Sequence, residues 1–348
     1  MISFTPLLLN ARTSLPLTIN IISNVLYNGA GKEADTLILK NAFEKSGHCV
    51  NLCSFDQEDQ IPSAHINVFL AHCKFDLFSK AALNWLIPNP ETCRINIGDL
   101  QKFDLVICKT EECLRIFTPL CKEVYFLGFT SFDKYQPTIT KDFSKYIHVA
   151  GKSPWKGTEE ILNVWTNHFG MPNLILITSK NQGQGIIDKK SIEIIHKHLP
   201  DDLLLSLQNE CGVHLCPSKT EGFGHYLMEA MSAQAVVITT DAPPMNEFIK
   251  DKRCLVKYCH THKQHYGTMY KVDEQSLAET VSLLKQLPVE ELHHIAKINR
   301  EEYLRRKNAF KHNFENLMQQ AELYFQKLFK KTSQTCTRDS QFIPEHNI

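Results

Sequence analysis

The chain has no charge excess: 38 Lys and Arg balance 38 Asp and Glu. Nucleic acid is thereby disfavoured as the main ligand, because a phosphate backbone is bound by a surplus of cations. No run of ~18 apolar residues is present, so no membrane-spanning helix is expected. The mildly apolar start, Met1–Leu17, lacks a leading basic region and is broken by Asn10 and Arg12. It reads as a leader or peripheral strand rather than a signal peptide, and leaves room for peripheral membrane contact. The 12 cysteines include no C-x-x-C, and several, such as Cys108 and Cys216, sit in apolar runs. Free thiols in a reducing, cytoplasmic setting explain this better than a disulfide framework.

What is present is length and alternation. At 348 residues the chain exceeds a typical domain of ~100–200 residues, which predicts two domains. Apolar runs expected as strands are Leu17–Val25, Cys49–Phe55, Ile66–His72, Phe103–Cys108 and Val124–Phe129. A second series follows at Tyr146–Ala150, Asn173–Thr178, Val213–Cys216, Val236–Thr240 and Cys254–Val256. Helical patterns lie between them, at Lys32–Lys45, Thr110–Phe117, Gly157–His168 and Gly222–Ala233. Continuous apolar strands alternating with helices imply doubly wound parallel sheets. The polar stretch Thr130–Lys145 reads as the linker. The expected division is 1–140, 141–310, a helix at 311–331 that packs across the junction, and a disordered tail at 332–348.

The segment with the most specific chemistry is VHLCPSKTEGFGHYLMEAM. A strand runs into Pro217 and Ser218, then a loop with Gly222 and Gly224 leads into a helix. Ligands of doubly wound sheets bind outside the carboxyl ends of the strands. The glycines let backbone approach a ligand, and the helix start, with its dipole, suits an anion such as a diphosphate. Glu221 and Glu229 are ~12 Å apart along an ideal helix. They can reach hydroxyls at opposite ends of an extended ligand whose phosphates lie between. The plain alternative is a helix with an acidic first turn.

PS-x-x-EGFG-x-x-x-x-EAM resembles the E-x7-E signature of retaining GT-B glycosyltransferases of the family 4 type (group 1). The fold implied is two Rossmann-like doubly wound parallel-sheet domains facing a central cleft. The resemblance implies a hexosyl transfer from a nucleoside diphosphate sugar to an unidentified acceptor hydroxyl. It places Glu221 by the donor sugar, Phe223 and Gly224 as backbone donors, and Glu229 on the ribose. His225 either adds a donor near the phosphates or packs at the helix start. HVAGKSPWKGTEEIL resembles the family's two-cation stretch, with Lys152 and Lys156 holding the diphosphate.

Other candidates stay divided. Gly29 and Gly31 lie in Tyr27–Lys32, where Leu26 and Glu33 break the P-loop pattern. The loop is either a phosphate-facing turn, as in GT-B enzymes, or a plain tight turn. His72 either faces the donor sugar, as in related enzymes, or is a satisfied half-buried histidine. Asp241 and Glu247, after a strand, either serve helix structure or face the donor. Asn89–Glu91 and Lys109–Glu111 read as solvated turns at the cleft edge. Cys259–His265 has zinc-type ligands in a polar loop without a second cluster, and no D-x-D motif stands out. No metal and no cofactor are assigned. With IPNPE, FDLVICKT and FLGFTS, the resemblance is to a bacterial-type subgroup and extends to about residue 330. The competing functions are another GT-B enzyme, an epimerase or phosphorylase, or a non-catalytic nucleotide-sugar-binding protein.

Overall fold

The computed structural model describes residues 15–23, 31–178, 191–196 and 199–339. Residues 1–14, Gly29 and the end of the expected tail, 340–348, lie outside the described residues. The first half runs β1 (Thr18–Ser23), α1 (Gly31–Lys45), β2 (Cys49–Ser54), β3 (Ala64–Leu70), β4 (Ala81–Ile87), α2 (Ile97–Leu100), β5 (Leu105–Cys108), α3 (Glu111–Phe117) and β6 (Val124–Phe126). The second runs β7 (Asp142–Gly151), α4 (Thr158–Asn167), β8 (Asn173–Thr178), β9 (Ile192–Ile195), α5 (Asp201–Glu210), β10 (Cys211–Cys216), α6 (His225–Ser232), β11 (Val236–Thr240) and β12 (Leu255–Val256). A hairpin of β13 (Tyr258–Gln264) and β14 (Gly267–Val272) follows, then α7 (Glu274–Gln286) and α8 (Val289–Asp339).

Two six-stranded sheets result, with orders β2-β1-β3-β4-β5-β6 and β12-β11-β10-β7-β8-β9, and every pairing in them is parallel. Strands such as β11, VVITT, are buried along their whole length, as a strand covered on both faces must be. This is the GT-B arrangement of two parallel α/β units. Chain direction reverses across the sheet between β1 and β3 in the first half and between β7 and β10 in the second. Those two crevices are where such folds take ligands.

The first sheet holds a polar ladder inside its core. Register sets Asn51, Asn20, Asn67 and Asn84 side by side on β2, β1, β3 and β4. Each side-chain amide bonds the next carbonyl at 3.0 Å, Asn51 to Asn20, Asn20 to Asn67 and Asn67 to Asn84. A one-residue slip would set these amides against apolar neighbours, so the ladder fixes register.

Several elements depart from the expectations. β4, β9 and the hairpin were not among the expected strands. Cys259–His265 is no polar loop: through Gln264 it is β13, exposed and paired antiparallel with β14. Among the described residues no cluster of three His, Cys, Asp or Glu could hold a metal. The 332–339 part of the expected disordered tail is helical, because α8 continues to Asp339. α8 touches both halves: Asn299 Nδ2 donates to Ala235 O at 2.9 Å, while Phe314 packs edge-on against Phe43 at 4.9 Å. No helix of the described residues is long and apolar enough to cross a membrane. All eleven described cysteines are free.

Candidate functional site

The loops after β7 and β10 meet at the second sheet's reversal point. Lys219 N donates to Trp155 O at 2.7 Å, which ties the GKSPWKG and PSKTEGFG loops together. Ser218 Oγ donates to Glu221 Oε1 at 2.6 Å and lies 2.5 Å from the Tyr226 hydroxyl. Lys156 Nζ sits 4.1 Å above the Tyr226 ring and donates to Val149 O at 3.2 Å. Burial lowers the Lys156 pKa, opposed by the charge of Glu221 and, behind Cys216, of Glu229. The charges of Glu221 and Glu229 thus both act on this one ammonium. Burial raises the Glu221 pKa, with Lys156 and Ser218 opposing it. Lys152 is exposed and is not drawn into this group.

The helix begins later than the pattern predicts. α6 starts at His225, because Gly224 adopts φ 100°, a conformation that favours glycine and ends the loop outside helical space. Gly222 is required for space: a Cβ there would lie 2.4 Å from Asn89 Cγ. Phe223 is buried against Phe129 and Phe248, with ring centroids 5.3 and 5.6 Å away. Glu229, part-buried, is one turn further along α6.

From the opposite side, the first sheet presents residues at four strand ends. Gly31 opens α1, and a Cβ on it would lie 3.6 Å from His225 Cδ2. The starts of α1 and α6 are thus neighbours, and both present the positive ends of their dipoles. Asp35, buried on α1, bonds Lys109 Nζ at 2.7 Å and His225 Nε2 at 2.9 Å. Burial alone would raise the Asp35 pKa, but Lys109 and His225 hold it below the usual carboxylate value. His225 Nδ1 lies 2.7 Å from Ser131 Oγ. His72 Nε2 lies 3.1 Å from Lys32 Nζ, and burial, Lys32 and Arg94 lower its pKa.

Two expected solvated turns are buried parts of this site. Lys109 is 3% exposed in its ion pair with Asp35, and Glu91, after β4, is 6% exposed. Burial pushes the Glu91 carboxyl up to about 7, with Lys109 opposing and Glu221 and Asp35 adding to the rise. Glu91 and Glu221 line one cavity of about 10 Å³ with Thr110, Thr220, Pro243 and Pro244. That is below the ~300–1,000 Å³ of a usual ligand site, so the halves must part to load an extended ligand. Glu247 does not face this cavity as a free carboxylate. It accepts from the backbone N–H of Glu111 at 2.9 Å and of Glu112 at 2.7 Å, the first turn of α3. Such a carboxylate at a helix start is stabilised by the orphan amides and the dipole. Asp241 is exposed and accepts from Asn246 Nδ2 at 3.0 Å.

Asp35, Ser131 and Tyr226 were not singled out from sequence. Tyr226 alone had a signal, one position after the GFGH loop.

Residues 189–301 match the family described as Glycosyl transferases group 1. Among curated proteins, no sequence relative matches. Similar solved structures include sucrose-phosphate synthase from Thermosynechococcus elongatus, at TM-score 0.65 and 12% identity, covering 90% of this chain and 99% of that one. Anabaena HepE in complex with UDP-glucose is similar at TM-score 0.61 and 14% identity, with 89% and 100% covered. The GtfA/B complex is similar at TM-score 0.57 and 15% identity over 77% of this chain, which spans 59% of that one. The family match spans residues 189–301 alone, and the similar solved structures show the fold, which is GT-B.

Proposed function

We propose that the protein is a retaining, metal-independent transferase that moves a hexosyl unit from a nucleoside diphosphate sugar to an acceptor hydroxyl. The observation that carries this is Lys156, whose ammonium lies 4.1 Å above the ring of Tyr226, the residue that shares the Ser218 hydroxyl with Glu221 where the second sheet's loops meet α6. In this reading Glu221 holds donor-sugar hydroxyls and Glu229 the ribose. Gly222, Phe223, Gly224 and the starts of α1 and α6 cradle the diphosphate, with Gly31 on the α1 side. As the anomeric C–O bond breaks, its electron pair passes to the leaving phosphate, and a fixed ammonium at Lys156 stabilises the growing charge. Lys152 joins on closure over the donor. The leaving phosphate takes the acceptor proton, so no protein nucleophile is assigned.

Residues 1–140 act as the acceptor side and 141–310 as the donor side, in a cytoplasmic enzyme. The UDP-glucose bound by Anabaena HepE makes a uridine nucleotide the first donor to test. Calorimetry with UDP should show Glu229→Ala binding ~10–100-fold more weakly, the size expected for lost hydrogen bonds to a charged group. Glu221→Ala should keep UDP affinity and lose turnover of UDP-glucose. Unchanged binding and unchanged turnover in both variants would overturn the assignment.

A further inference from the structure

Of the cavity's carboxyls, the donor reading leaves Glu91 and Glu112 without a role, and Glu112 is paired with Arg115. Glu91 is 6% exposed, its Oε2 has no partner among the described residues, and its carboxyl is bonded by its own backbone N–H. An ionisable group this deep is costly unless paired, and an unpaired buried oxygen in a native protein asks for an explanation. The loop that carries it is held firmly by the other half of the chain. Tyr266 N and Gly267 N donate to Pro90 O at 3.0 and 3.1 Å, and the Tyr266 hydroxyl donates to Ile95 O at 2.6 Å. Asn89 is seated against Gly222. The tip of the β13–β14 hairpin and the EGFG loop thus fix Glu91 from the donor side, while β4 delivers it from the other.

The cavity's chemistry is one-sided. Its charged lining residues are Glu91, Glu112 and Glu221, joined by the hydroxyls of Thr110, Thr220 and Thr268. Glu112 is taken by Arg115 through two bonds of 2.7 Å, and Ser218 gives Glu221 one donor. The cations nearby are engaged elsewhere: Lys109 with Asp35, Lys156 on Val149 O and the Tyr226 ring, and Lys32, on which the Glu91 charge acts, with His72 Nε2 at 3.1 Å. The open valence of the pocket is an acceptor oxygen with no cation lining it. Such a site binds hydroxyl donors and repels anions.

The geometry points to Glu91 as an acceptor-binding residue that takes a hydrogen bond from a hydroxyl of an uncharged, polyhydroxylated acceptor, and to this cavity as selecting against phosphorylated or carboxylated ones. This rests on the donor reading above, since Glu221 marks the donor side of the same cavity.

The test is ligand-observed saturation-transfer NMR on the UDP-loaded protein. The probes are methyl glycosides of glucose, galactose and mannose, set against glucose 6-phosphate, mannose 6-phosphate and glucuronic acid. At least one uncharged glycoside should bind and the anionic sugars should not. Glu91→Ala should weaken that binding about tenfold or more, Glu91→Gln only about threefold, and UDP affinity should be unchanged in both. Glu91→Gln should also melt no lower than the wild type, because it removes a buried carboxyl whose Oε2 has no partner among the described residues. Equal binding of anionic sugars, no binding by any uncharged glycoside, an unaffected Glu91→Ala, or a lower melting temperature for Glu91→Gln would overturn the inference alone. Failure of the wild type to bind UDP, GDP or ADP would instead remove the donor reading, and this one with it.

Discussion

The two halves of the molecule share one architecture but write their parts of the site differently. The second half gathers Ser218, Glu221, the two loop glycines, Tyr226 and Glu229 into a dozen consecutive residues around one strand end. The first half spreads its contribution over Gly31 and Asp35 after β1, His72 after β3, Glu91 after β4 and Lys109 after β5. A contiguous loop-and-helix start carries a local signature, because each residue type answers to its neighbour. Single side chains at separate strand ends carry none until the sheet brings them together. The cores differ too: the first sheet holds register with asparagines, while the second buries histidines.

The largest break in this comparison is expected at Asp35. Replacing it with Ala strands Lys109, 3% exposed, without its carboxylate. Denaturant unfolding should show a loss of ~3–5 kcal/mol, with Lys109→Met in the same chain recovering much of it. A single variant as stable as the wild type would show that this buried pair does not hold the first half together.

A smaller effect tests the ladder. Asn67→Ala removes one of the two acceptors of the Asn20 side-chain amide and the donor to the side-chain carbonyl of Asn84 at the centre of the first sheet. The cost should be ~2 kcal/mol in the same assay. No loss would mean that register is set by the apolar side chains alone.

The smallest effect per residue is a pH dependence centred in the second half. His148 bonds Leu215 O at 2.7 Å and Thr158 Oγ1 at 2.9 Å, and burial lowers its pKa to about 4; burial, with Lys141 adding to it, lowers that of His214 to about 3. The unfolded chain, with histidines near ~6.5, binds more protons below that pH than the folded chain does. Stability is therefore complete above pH ~6.5 and is lost as pH falls toward these lower values, by ~1 kcal/mol per histidine at pH 5.5. Hydrogen exchange at pH 5.5 and 7.5 should show β7 and β10 losing more protection than β1 and β3. Equal loss in both sheets would erase the distinction.

These contrasts also explain what was legible in the sequence. β8 and β11 were read at their true ends because both are unbroken apolar runs of branched residues. β4, AALNWLI, was missed because Asn84 looks like a turn residue, and only the neighbouring strands reveal it as a rung of the ladder. β13 was missed because all but the last of its residues are exposed, which leaves no apolar alternation to read. Glu221 and Lys156 were legible through their loops. Lys109 and Glu91 were not, since nothing local tells a buried ion or an unpaired carboxyl from a solvated turn.

α8 bears on how the chain reaches this structure during its synthesis. Phe43 and His65 emerge early, yet the rings that cover them, Phe314 and Phe325, belong to an element made after both sheets. While the second sheet is being translated, the first carries an uncovered aromatic face. Nascent chains at that stage should be clients of ribosome-associated chaperones, and release from them should coincide with the emergence of α8.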